Sequence, residues 1–202
     1  MGASAPHTIV NVGYKSTNFW VISAGTRRLL LDLGWPGTMG QMRAALDRAG
    51  VPLREIGHGL ATHYHLDHAG LAQELKAAGM RLLVADVQVP WVQHLGDHAK
   101  PADRLVPVDP RDNLVFPLQA SRALLAGLGL AGEVLHTPGH SPDSVSLLLD
   151  DGAVFTGDLT HPLFMTEAEA PITGASWALL RERGARTVYA GHGPVRPMPE
   201  LW

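Results

Sequence analysis

Apolar positions along this chain switch repeatedly between two periods, and the switches mark its elements. "HTIVNVGY" (7–14) and "NFWVISAG" (18–25) are rich in β-branched and aromatic residues and predict strands. "RRLLLDLG" (27–34) follows across a turn at Gly25, so the chain is expected to open on a hairpin. In "TMGQMRAALDRAG" (38–50) apolar side chains return at Met39, Met42, Ala45, Leu46 and Ala49, the spacing of one helix face. Thr38 is placed to cap that helix, and Gly50 ends it ahead of Pro52. "HGLATH" (58–63) reads as a short buried strand. "AGLAQELKAAG" (69–79) reads as a helix with Leu71 and Leu75 on one face, and "RLLVAD" (81–86) as the next strand.

Residues 86–118 contain five prolines and are expected to form a short helix, a loop and a strand. "SRALLAGLGL" (121–130) is helical, and "GEVLHTPGH" (132–140) is a strand running into a turn. "SVSLLLDDGAVFTGD" (144–158) is a hairpin turning at Asp151-Gly152. "GASWALLRERG" (174–184) is the last helix and "RTVYAGHGP" (186–194) the last strand. Two strand-rich segments that each alternate with helices predict an α/β fold, with sheets covered by helices. No repeat, low-complexity tract or linker interrupts residues 1–202, so one domain is expected.

Composition narrows the function. The chain is 46% hydrophobic and 17% charged, enough apolar residue for a packed core. A net charge of −3 argues against nucleic acid as a partner. The opening "MGASAPHTIVNVGY" lacks the profile of a secretory signal and fits a myristoylation pattern poorly. No run of about 18 apolar residues exists to span a membrane. A cytoplasmic protein acting on a small molecule is expected. Its oligomeric state is left open, a homodimer included. With no cysteine in the chain, any bound metal must be held by nitrogen and oxygen.

The strongest chemical signal is "LATHYHLDHAGL" (60–71), which packs His63, His65, Asp67 and His68 into six positions. His63 and His65 lie two apart at a strand end, so both imidazoles point the same way. Asp67 and His68 follow the turn and face a second point. Zinc takes imidazole and carboxylate ligands and wants about four of them. One loop cannot fill two such shells, so further ligands are required. His140 in "TPGHSPDS", Asp158 in "FTGDLT" and His192 in "YAGHGP" each sit where a strand gives way to a glycine-containing turn. Gly139, Gly157, Gly191 and Gly193 would let backbone pass close to a metal.

The order His-x-His-x-Asp-His, "PGH", "GD" and "GHG" resembles the metallo-β-lactamase superfamily along nearly the whole chain. That resemblance implies a four-layer αββα sandwich with a two-metal site on the rim between the sheets. It implies that His63, His65 and His140 bind one ion, that Asp67, His68 and His192 bind the other, and that Asp158 bridges them. Zinc is the metal expected, with iron, manganese or cobalt as alternatives. Two divalent ions sharing a hydroxide would give a nucleophile at neutral pH. Asp67 or Asp158 would hold that nucleophile or shuttle its proton, and Thr62, Thr137, Ser141 and Asp143 would orient the ligands.

Simpler explanations compete at single residues. A polar turn accounts for one or two histidines, not for four ligand-type residues at this spacing. Asp158 or His192 alone would be an ordinary turn residue; in company each reads as a ligand. Asp32, at the end of "LLLDLG", fits a turn or cap as well as a support for the metal site. His7, His58, His94, His98 and His136 read as structural or surface residues. His161 stands where lactonases of the superfamily commonly carry a substrate-contacting tyrosine, which weakens a lactonase assignment. Trp35 and "HPLFM" (161–165) are candidates for a pocket wall, and Trp20, Trp91 and Trp177 for packing.

The resulting expectation is a hydrolase of an ester-like carbonyl: a thioester, a lactone or a β-lactam. The alternatives are a mononuclear iron sulfur dioxygenase and a phosphodiesterase. The length and acidic balance argue against the superfamily's nucleases, and no counterpart of the glyoxalase II C-terminal domain is visible. The loop aspartate differs from the glutamate of flavodiiron proteins.

Overall fold

The computed structural model describes residues 6–200, so the reading of the extreme N-terminus lies outside the described residues. The first strands are β1 (Thr8–Asn11), β2 (Trp20–Ala24) and β3 (Arg27–Leu31), joined antiparallel, with Gly25 at φ +63° in the β2–β3 turn. Helix α1 (Met39–Arg48) leads to β4 (Ile56–Leu60), and helices α2 (Leu66–Ala69) and α3 (Ala72–Ala77) lead to β5 (Arg81–Ala85). After α4 (Val89–Val92) comes β6 (Leu114–Phe116). These strands form one six-stranded sheet in chain order, with β3 to β6 parallel.

The second half supplies α5 (Ser121–Gly127), β7 (Gly132–His136), β8 (Val145–Leu149), β9 (Ala153–Gly157), α6 (Ala170–Glu182), β10 (Thr187–Ala190) and β11 (Arg196–Pro197). Its sheet runs β11-β10-β9-β8-β7. The β9–β10 pair is parallel, because α6 carries the chain back over the sheet between them.

Strand alternation builds four layers. Trp20, Ile22, Leu29, Leu31, Leu83 and Ala85 face Val145, Leu147, Leu149, Ala153 and Phe155 in one core between the sheets. The intervening Val21, Leu30, Leu82 and Val84 point outward and pack under Met42 and Leu46 of α1 and Leu75 of α3. On the other side Leu148, Val154 and Val188 meet Trp177 and Leu180 of α6. The expected αββα sandwich is therefore the observed one. Each fully buried side chain of this size contributes about 1.5–3 kcal/mol.

Local details depart from expectation. Thr38 stands at the N-cap of α1 but its side chain does not cap it; the hydroxyl donates to Trp35 O and pairs with Tyr14 Oη. Strand β4 stops at Leu60, before the histidines. The helix expected over 69–79 is two short helices, broken at Gly70 and Leu71, and the first begins early enough to include Asp67 and His68. Gly70 cannot be replaced there, since a Cβ would fall 2.3 Å from Pro36 Cδ. Helix α6 starts four residues early, with Pro171 in its first turn, where a missing N–H costs nothing. Among the described residues no helix is long and apolar enough to cross a membrane.

Candidate metal centre

The loops after β3, β4, β7, β9 and β10 meet at one rim of the sandwich, the end where α/β sheets carry their sites. All seven candidate ligands gather there in two groups. His63, His65 and His140 form one; Asp67, His68, Asp158 and His192 form the other; ligand atoms within each lie within 4.8 Å of one another. His140 Nε2 lies 3.0 Å from His65 Nδ1. His192 Nε2 lies 3.2 Å from Asp67 Oδ2 and 3.3 Å from Asp158 Oδ2. Asp158 reaches both groups, with Oδ1 3.3 Å from His68 Nε2 and Oδ2 3.7 Å from His140 Nε2.

Three of these histidines are aimed by their other nitrogen. His68 Nδ1 donates to buried Asp32 Oδ2 at 2.9 Å. His63 Nδ1 donates to Thr62 Oγ1 at 3.1 Å, and that hydroxyl donates on to Asp32 Oδ1 at 2.9 Å. One carboxylate thus orients a histidine from each group, which makes Asp32 a support of the site and not a mere turn residue. It holds φ +60° and also accepts from Thr62 N at 2.8 Å. The third histidine is His192, whose Nδ1 donates to Ser16 O at 2.6 Å. Such partners fix the tautomer and direction of a ligand.

Among the other expected supports, Asp143 accepts from Tyr64 N at 2.7 Å, between His63 and His65, and Ser141 donates to Asp143 at 2.7 Å. Thr137 is different: its hydroxyl pairs with Ser146 at 2.7 Å and touches none of the seven. Gly157, at φ +53°, lies against Thr62, and a Cβ on Gly191 would fall 2.4 Å from Asp158 Oδ1. Those two glycines serve close packing at the site. Gly139 instead packs against Thr173 of α6, and a Cβ on Gly193 would point into open space.

Three supports were not foreseen. Asn18 donates to Ala190 O at 3.0 Å and Gly193 O at 2.8 Å, while its own N–H bonds Gly191 O at 2.8 Å. Ser16 O, as the acceptor for His192, lets the β1–β2 loop position a ligand 176 residues away. Gln88 Nε2 donates to Ala61 O and Thr62 O, pinning the strand exit from beneath. The only hint in sequence is a polar "KSTN" between two apolar strands.

The electrostatics follow from this crowding. Burial, then the neighbouring imidazoles, pushes the pKa of His63 well below the ordinary histidine value. Burial pushes His140 the same way. Burial also opposes a charge on His68, but Asp32, Asp158 and Asp67 overcome it and hold its pKa well above 6.5. Burial would raise Asp67 and Asp158; His68 and His192 outweigh it and keep both carboxyls low.

The site fits a divalent metal. His63 Nε2 is buried with no hydrogen-bond partner, and the equally buried His68 Nε2 and Asp158 Oδ1, 3.3 Å apart, form no well-aligned hydrogen bond. Each such atom costs about 1–3 kcal/mol when left unpaired. They fall in both groups, and imidazole with carboxylate is a donor set that zinc and similar ions accept. A cavity of about 290 Å³ lies on one side, between Asp158, His161 and His192. Another of about 240 Å³ lies beyond His65 and His140, lined by Trp91, His94 and His98, so the 86–118 segment does shape the cleft. Leu163 and Phe164 do not form the expected wall; they stand 63% and 77% exposed. Trp35 donates to Thr17 Oγ1 at 3.1 Å, and Thr17 bonds Asp67 at 3.3 Å.

Comparison with known proteins agrees with this geometry. The family model described as the metallo-beta-lactamase superfamily matches residues 12–192. An atrochrysone carboxyl ACP thioesterase of Aspergillus fumigatus is 29% identical over 90% of this chain and 52% of its own length. A probable metallo-hydrolase of Methanocaldococcus jannaschii is 25% identical over 91% of this chain and 90% of its own. A metallo-beta-lactamase family protein of Thermus thermophilus shares the fold, with a TM-score of 0.69 at 20% identity, covering 95% of this chain and 75% of that one. The chain spans about half the length of the first curated relatives it matches.

Proposed function

The chain belongs to the metallo-beta-lactamase superfamily, and on that footing we propose that it is a hydrolase holding two divalent ions, zinc first among them, that cleaves an ester-like carbonyl in a small molecule. The observation that carries this reading is Asp158, placed within 3.3 Å of His68 and 3.7 Å of His140 and so between both ligand groups. His63, His65 and His140 would hold one ion; Asp67, His68 and His192 the other; Asp158 would serve both. Ions bound there would polarise a carbonyl and lower the pKa of water from about 15.7 toward about 7.

The chain's own groups do the rest. Asp67 and Asp158 stay ionised; Asp158 lines the cavity and Asp67 lies beside His192, so either would orient an attacking water or shuttle its proton. The cavities of about 290 and 240 Å³ give the acyl and leaving groups separate places on either side. Thioesters come first among the substrates, because relatives named as ACP thioesterases match about 90% of this chain. Residues 1–202 are proposed to form one domain, working in the cytoplasm.

A sulfur dioxygenase would need one iron and leave the Asp67–His192 group without a task, which disfavours it. The test is a substrate panel on the protein as purified, its bound metal quantified: a thioester, a lactone, a β-lactam and bis-p-nitrophenyl phosphate, with oxygen uptake recorded beside a persulfide. Turnover of a carbonyl substrate without oxygen uptake supports the proposal. Oxygen consumption with one iron per chain, or dominant phosphodiester turnover, contradicts it.

A further inference from the structure

The chain leaves β10 at Ala190, turns through the segment that carries His192, and returns as β11, where Arg196 pairs with Val188. This short return brings Arg196 to the wall of the cavity that Asp158, His140 and His192 also line. Arg196 Nε is buried and has no hydrogen-bond partner among the described residues. Asp158, the carboxylate on the same cavity wall, faces His68 and His192, and no ion pair involves Arg196 among the described residues. Only Nε is shut off from water, the residue as a whole being partly exposed, and a buried N–H without an acceptor is an unfavourable arrangement for folding alone. It is a favourable one for a ligand that brings the acceptor.

The ligand's chemistry can be narrowed. A guanidinium presents a planar fork of N–H donors that matches a carboxylate in two parallel bonds. The neighbouring cavity residue His161 accepts from Leu163 N through Nδ1 at 3.2 Å, and burial and the Arg196 charge both disfavour its protonation. Arg196 is therefore the one cationic side chain on this wall outside the proposed ligand set. The cavity, about 290 Å³, is shared with the candidate ligands, so the anion must sit only a few bonds from the scissile carbonyl.

We propose that Arg196 is a specificity-determining residue that binds a carboxylate on the acyl part of the substrate, so that the preferred substrates are acidic half-thioesters or half-esters of short dicarboxylic acids. This deepens the hydrolase proposal and rests on it for the reaction. The test uses two thioesters of N-acetylcysteamine, S-succinyl and S-butyryl, with the zinc-loaded wild type, Arg196→Met and Arg196→Lys. The wild type should favour the succinyl compound in kcat/KM by roughly 10–100-fold, the range of one charge-assisted pair. Arg196→Met should bring that ratio close to one, chiefly through KM, and Arg196→Lys should restore part of it. A ratio that Arg196→Met leaves unchanged overturns the assignment, including the case where both substrates lose equally. Succinate binding by calorimetry keeps the two proposals separable. If neither thioester is cleaved, the thioester reaction fails, while Arg196 still stands or falls on binding. Succinate held at least tenfold more tightly by wild type than by Arg196→Met supports it, and equal affinity overturns it.

Discussion

His68 and Asp32 form a buried pair, Nδ1 to Oδ2 at 2.9 Å, with side chains 0% and 1% exposed. The other carboxylate oxygen holds Thr62 and, through it, His63. A single residue outside both ligand groups thereby sets the aim of each.

Asp32→Asn isolates that role, because asparagine tolerates the φ of +60° that Asp32 adopts. The variant should fold yet bind metal about 10–100-fold more weakly. Chelator competition with zinc measures this. Unchanged affinity would mean that the pair serves folding only.

Protons should leave when metal enters. His68 carries a raised pKa in chelator-stripped protein, so it is protonated at neutral pH. Its contribution to stability is fully present below the unfolded value of about 6.5 and is lost as pH rises through the raised folded value. Metal must displace that proton, whereas His63 and His140, held neutral by burial, release none. Apparent zinc affinity should therefore climb with pH until the folded pKa of His68 is passed and then flatten. Calorimetry in buffers of different ionisation enthalpy should count about one proton released per chain near pH 7; a count of zero contradicts the charge state.

The β1–β2 loop holds His192 through Ser16 O and Asp67 through Thr17, and it should matter to the site. Asn18→Ala removes two side-chain hydrogen bonds that tie down residues 190 and 193. The expected loss is about 1–3 kcal/mol of stability, with weaker zinc binding at the His192 group. Denaturant unfolding and zinc titration read the two effects. A variant matching wild type in both would remove this loop from the account.

How much of this was legible depends on the distance over which each residue acts. His63, His65, Asp67 and His68 announce themselves because four ligand-type residues share six positions; what separates their aims is the start of α2, since β4 stops at Leu60 and only Asp67 and His68 are helical. His140, Asp158 and His192 were found as strand-end residues beside glycines, a signal that survives because each strand end is local. Asp32 was balanced between two roles, since a lone aspartate after "LLL" looks the same as a turn until β3 and β4 lie side by side. Asn18, Gln88 and Arg196 act across the fold; the polar "KSTN" hints at the first, and nothing in their own neighbourhoods marks the other two. Sheets covered by helices were readable from strand-rich segments that alternate with helices; the four-layer order came from the family resemblance alone. The break between α2 and α3 was not readable, because it comes from the contact of Gly70 with Pro36, a tertiary event.

Histidine substitutions should sort by place. His63→Ala and His140→Ala are expected to abolish hydrolysis and lower bound zinc. His7→Ala, at a surface contact 3.3 Å from Asp151, should do neither. Equal activity in all three variants would refute the ligand assignment.

The central claim, that each ligand group holds its own ion, is tested most directly by native mass spectrometry of chelator-stripped protein titrated with zinc. Wild type should reach two zinc ions per chain, with His140→Ala and His192→Ala each stopping at one. A wild type that saturates at one ion or none would contradict it.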